Sequence, residues 1–242
     1  MIEIDIHNAS AAGIEWLKRQ NPVTVKDLSR SIQALSLWKE NTAYLIEILL
    51  SLKKGAFWET DKTLLDTARA CIALAGCGII QSDAIKWIQE QQEKDNWNNN
   101  EIDTSYALIA LGDAGIKNEA GCEWLVNNYG DKWEHVGTTS LIITALQKQN
   151  ESQYGFFIND RAGWILSKRL FGGWTHIATS NLAIQALILA GERDIEKEIG
   201  PSIKWLLEKQ NRGNWGDITS TSLSLISLGM YLDCLESSKR IK

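Results

Sequence analysis

The sequence predicts an all-α protein: six helical hairpins closed into one (α/α)6 toroid. Three observations predict it. Only two prolines occur in 242 residues, and turn-forming residues cluster between apolar-periodic segments. A phrase ending in tryptophan recurs at Trp58, Trp97, Trp133, Trp174 and Trp215, at intervals of 39, 36, 41 and 41 residues, a period that signals one repeated supersecondary unit. A small residue followed by leucine recurs six times, at Leu35, Leu74, Leu111, Leu146, Leu187 and Leu228.

Each hairpin reads as an outer helix, a turn and an inner helix. The degenerate first hairpin opens with AGIEWLKRQ (12–20) and continues to Leu35. The next inner helix ends at Leu74, after the turn KKGAFW (53–58). The third hairpin pairs AIKWIQEQQ (84–92) with YALIALG (106–112), and the fourth pairs AGCEWLVNN (120–128) with LIITALQ (141–147). The fifth pairs AGWILSKRL (162–170) with LAIQALILAG (182–191), and the sixth runs from PSIKWLLEKQ (201–210) to Leu228. Eight residues before the six leucines lie Asp27, Asp66, Asp103, Thr138, Thr179 and Ser220. All are N-cap types, so each inner helix is expected to start there. The residue before each leucine is Ala or Ser, which lets neighbouring helices approach closely. Both ends read as ordinary repeats, which favours closure over an open solenoid with polar caps. The repeat runs from end to end, so a single domain over 1–242 is expected.

Bulk composition excludes several classes. The net charge is −5 with acids and bases interspersed, so no basic stripe for nucleic acid is expected. MIEIDIHNAS lacks the basic start and apolar run of a signal peptide. No apolar stretch reaches the ~20 residues of a spanning helix. Cys71, Cys77, Cys122 and Cys234 show no metal-type clustering. Free thiols and a cytoplasmic location are expected.

The turn QNRGNW (210–215) has the form Gln-x-x-Gly-x-Trp. With its surroundings, IKWLLEKQNRGNWGD, it resembles the QW repeat of squalene–hopene cyclases and related terpene cyclases. QEKDNW (92–97), NYGDKW (128–133) and RLFGGW (169–174) are weaker copies. The resemblance implies the six-hairpin toroid of those cyclases and of protein prenyltransferase β-subunits, with an isoprenoid or similar apolar small molecule in the lumen. Prenyltransferase toroids work with a helical partner subunit, so a partner protein is also implied. The family's acid motif, Asp-x-Asp-Asp followed by Thr-Ala, departs here to TLLDTA (63–68). Asp66 matches the last acid, and Leu65 stands where the proton-delivering middle acid belongs. NEIDTS (100–105) puts Asp103 and Ile102 in the same two places. The Asp-x-Cys pair of the prenyltransferase zinc site is absent, so no metal is assigned and any cofactor is unknown.

Two sets of residues could carry chemistry. Two positions past each tryptophan lie Thr60, Asn99, His135, His176 and Asp217. His135, His176 and Asp217 are acid–base or ligating types at one expected mouth of the ring, and with Asp66 and Asp103 they are the catalytic candidates. The substrate-binding candidates are Arg30, Arg69, Tyr106 and Trp38. The arginines sit near helix starts, where a charged fork and free amides suit a diphosphate. Tyr106 and Trp38 supply aromatic faces, and Gln33, Thr144 and Gln185 would add polarity to the lumen. Two functional readings stand. One is a divergent terpene cyclase- or prenyltransferase-like enzyme acting without the Asp-x-Asp-Asp motif. The other is a non-catalytic toroid that binds an apolar ligand or serves as one subunit of a complex.

Overall fold

A computed structural model describes residues 2–191 and 195–240. The helices are α1 (Ile2–Lys18), α2 (Val25–Leu37), α3 (Ala43–Ser51), α4 (Thr63–Gly76), α5 (Ser82–Glu90) and α6 (Glu101–Asp113). They continue as α7 (Glu119–Asn128), α8 (Val136–Ser167), α9 (Ile177–Leu189), α10 (Ile195–Glu198), α11 (Gly200–Glu208) and α12 (Ile218–Arg240). Two-residue strands β1 (Lys53–Lys54) and β2 (Phe57–Trp58) pair antiparallel in the first tryptophan turn. Extended backbone at Asn150 (φ −162°, ψ 87°) splits α8 into an inner and an outer half.

The inner ring is α2, α4, α6, the first half of α8, α9 and α12. Each packs on the next, and α12 packs back on α2, which closes the toroid. The outer layer is α1, α3, α5, α7, the second half of α8 and α11. The six repeat leucines are at most 2% exposed, and the small residues before them at most 1%. Hydrophobic burial of these rows holds the two layers together.

The tryptophan turns tie each hairpin with two recurring hydrogen bonds. The indole Nε1–H donates to a carbonyl nine residues back: Trp58 to Leu49, Trp97 to Ile88, Trp174 to Ile165 and Trp215 to Leu206. The same tryptophans' backbone N–H groups donate to hydroxyls on the inner helix: Thr67, Thr104, Ser180 and Thr221. Burying one indole stabilises by roughly 4–6 kcal/mol before ordering costs. Trp133 departs from the pattern: it is half-buried and stacks on Trp124 at 5.1 Å. Residues at the start of two of the turns reach to the next outer helix. Gln92 exchanges hydrogen bonds with Asn118, the cap of α7. Gln210 donates to the Ala9 carbonyl of α1, joining the last outer helix to the first.

Two expectations are corrected. The inner helices start earlier than the row Asp27 to Ser220. Their caps are Thr24, Lys62, Asn100, His135 and His176, and Asp217 accepts from Ser220 N at the start of α12. The Asp27 row therefore sits one turn inside, where an acid can support the cap: the Thr24 hydroxyl accepts from Asp27 N and donates to Asp27 Oδ2. In addition, Ile218–Ser237 within α12 is long and apolar enough to cross a membrane by length and composition. Its residues include the sixth inner wall, and 56% of its most apolar window is buried in the protein. A helix that faces other helices on both sides of a ring needs that apolar composition.

Candidate functional site

The lumen holds a cavity of about 780 Å³. Its wall is built in rows set by the repeat leucines. Two residues before them lie Gln33, Ile72, Ile109, Thr144, Gln185 and Ile226, and all six line the cavity. Two residues after them lie Leu37, Gly76, Asp113, Lys148, Leu189 and Met230, and these line it too. Spacings of three and four residues keep one face of each helix turned inward. Five residues before the leucines the cavity reaches its floor at Arg30, Tyr106, Leu141 and Leu182. From floor to outer row is seven residues of helix, about 10 Å.

The cavity reaches solvent at the C-terminal ends of the inner helices, where Lys39, Lys148 and Asp233 form an exposed rim. Lys148 bridges to Asp113 at 2.6 Å. This is the end opposite the tryptophan turns. The sequence signal for this end of the ring is the row two residues after each leucine, which contains Lys148; Lys39 and Asp233 lie beyond it.

The floor is a cationic cluster around a phenol. Arg30 Nη2 donates to Tyr106 Oη at 2.8 Å, and Arg30 Nη1 donates to Gln33 Oε1 at 3.2 Å. The Arg69 guanidinium lies 4.9 Å from the centre of the Tyr106 ring. Burial alone would raise the phenol's pKa, but the charges of Arg30 and Arg69 outweigh it and hold the pKa below its ordinary value. Arg69 sits outside the cavity lining and faces Asp66 Oδ1 at 3.7 Å. Among the described residues, no carboxylate lies within salt-bridge distance of Arg30.

The remaining candidates are placed elsewhere. Asp66 is fully buried, and its Oδ2 accepts from Thr60 N, Thr60 Oγ1 and Asp61 N. It braces a turn and does not line the lumen. Asp103 Oδ2 accepts from Asn98 Nδ2. Trp38 is off the cavity wall: its Nε1 donates to the Leu225 carbonyl, pinning the end of α2 to α12. His135 and His176 are exposed caps whose side chains make no capping hydrogen bond. They share a separate surface cavity of about 680 Å³ with Thr138, Thr179 and Lys168, and Asp217 is not in its lining. No group of three or more His, Cys, Asp or Glu that could hold a metal occurs among the described residues.

No family model matches the sequence, and no curated protein matches it. Among solved structures, the chain is similar to ent-copalyl diphosphate synthase from Streptomyces platensis, with a TM-score of 0.69 and 15% sequence identity. The match covers 86% of this chain and 50% of the synthase. The chain thus spans about half the length of that enzyme. Its fold is the helical toroid of a terpene cyclase.

Proposed function

We propose that this chain takes an isoprenoid or similar apolar small molecule into its lumen. The observation that carries this reading is the cavity of about 780 Å³, to which every inner helix contributes at least one Leu, Ile or Met and which reaches solvent at the rim. That size is within the usual range for a small-molecule site. An isoprenoid tail would replace water against the apolar rows, while Arg30 and Tyr106 would meet its leading polar group. Arg69 would act through Tyr106, beneath the wall. The likeness to a terpene cyclase fold supports the same class of ligand.

Proton-initiated polycyclisation finds little support. Stabilising carbocations needs several aromatic faces, and among the described residues Tyr106 is the one aromatic side chain in the wall. No Asp66 or Asp103 carboxyl lines it. We therefore read the protein as a ligand-binding toroid, with His135, His176 and Asp217 as turn and capping residues at the other mouth. The four free cysteines, two of them buried, support a cytoplasmic location.

Native mass spectrometry tests the reading. Protein purified from its source, or mixed with farnesol, should carry one apolar molecule per chain. A chain that retains nothing and takes up no farnesol at high micromolar concentration would overturn the proposal.

A further inference from the structure

Counting donors and charges at the floor narrows the ligand. This step rests on the lumen being the binding site. Arg30 spends two N–H groups on Tyr106 and Gln33, which leaves part of a five-donor fork unspent. The Tyr106 hydroxyl accepts from Arg30, and no acceptor for its own proton is found among the described residues. Gln33 uses its amide oxygen on Arg30, which leaves its amide nitrogen as a donor. Each of these three residues thus keeps at least one unspent donor. A half-buried guanidinium without an acid partner is stabilised by an acceptor that brings its own charge.

Charge fixes what kind of acceptor. Arg69 is already faced by Asp66 at 3.7 Å, so the floor offers the ligand one uncompensated cation, Arg30. One turn below lie Asp27, Asp66 and Asp103, held by Thr24 and Thr219, by the Thr60 turn, and by Asn98 respectively. With Asp66 set against Arg69, a diphosphate, with its multiple charges, would face a single free cation above the two carboxylates of Asp27 and Asp103. A carboxylate carries one charge, and its two oxygens match the guanidinium fork.

We propose that the lumen binds an apolar-tailed carboxylic acid head-down, its carboxylate on Arg30 and Tyr106 and its tail rising past Ile72, Ile109 and Ile226 to the rim. The positive field that depresses the Tyr106 pKa acts on a bound carboxylate in the same sense, favouring its ionised form.

Isothermal titration of the whole chain with four probes tests this: farnesoic acid, farnesol, farnesyl diphosphate and dodecanoic acid. Farnesoic acid should bind at least about tenfold more tightly than farnesol, since a charged hydrogen-bonded head adds to the same tail. It should also bind more tightly than the diphosphate. In Arg30→Gln, the acid should weaken about tenfold or more towards the alcohol's affinity, while farnesol changes little. Equal binding of acid and alcohol by the wild type would overturn the carboxylate and leave lumen binding standing, with no variant needed. Tighter binding of the diphosphate would overturn the charge argument alone. No binding of any probe would overturn both readings. Dodecanoic acid separates the sources: if it matches farnesoic acid, the ligand is a straight-chain fatty acid, and if it is weaker, an isoprenoid acid.

Discussion

Tyr106 is where burial and charge oppose each other most directly. Burial favours the neutral phenol, yet two guanidinium groups bring its pKa below the ordinary value. Linkage fixes the consequence. The folded-state pKa lies below the unfolded value of about 10, so the extra stability is absent at pH below the folded midpoint. It grows as pH rises through that midpoint and is complete above about pH 10. The thermal stability of wild type relative to Tyr106→Phe should therefore widen as pH is raised from 7 towards 10. Melting curves of both proteins across that range check it, and a constant difference would contradict the assignment. Burial pushes Cys71, Cys122 and Tyr154 up to about 12 in the opposite sense. These groups are present in both proteins and cancel in the comparison.

At the scale of the element, the tryptophan turn is a fastener with a fixed wiring. Its indole reaches back nine residues to the outer helix, and its amide reaches forward to a hydroxyl on the inner helix. Trp97→Phe should therefore cost about 2–4 kcal/mol, combining lost volume with an orphaned Ile88 carbonyl. Trp133→Phe should cost less, because Trp133 is half-buried and lacks the nine-residue bond. Urea unfolding of the two variants checks the order. The recurrence of the turn was legible in the sequence, because it needs particular residues at fixed spacings; the partners of its hydrogen bonds were not. The helix starts were less so. Asp, Ser and Thr serve both as N-caps and in the first turn of a helix, so the row at Asp27 and Asp66 was read as caps when Thr24 and Lys62 precede it. The lumen wall was the least legible part. Its rows mix Gln with Ile, and Lys with Gly, because lining a cavity demands shape and polarity and leaves no hydrophobic period. Trp38 looked like a lumen aromatic, but its N–H found a carbonyl on the neighbouring helix.

At the scale of the molecule, function depends on closure, and closure depends on the seam where chain start meets chain end. There α12 packs on α2, Thr219 donates to Asp27 Oδ1, and Trp38 donates to Leu225 O. Gly229 makes the approach close: a Cβ there would sit 2.7 Å from Leu37 Cδ2. Gly229→Val should push the two helices apart and cost about 1–3 kcal/mol, read from urea unfolding against wild type. Leu37 also lines the cavity, so the same change should loosen ligand binding. Unchanged stability would mean that the seam tolerates what the geometry forbids.

The central claim is that ligand occupies the ring's interior. A ligand bound only to the folded state stabilises it by RT ln(1 + L/Kd) at free ligand concentration L, so the melting temperature rises with ligand concentration. The most direct test is the shift produced by farnesol or farnesoic acid in wild type and in Ile109→Trp, which fills the middle row with an indole. The account predicts a concentration-dependent rise for wild type and none for the variant, with circular dichroism showing both folded. An equal rise in the two proteins would place the ligand outside the lumen and contradict it.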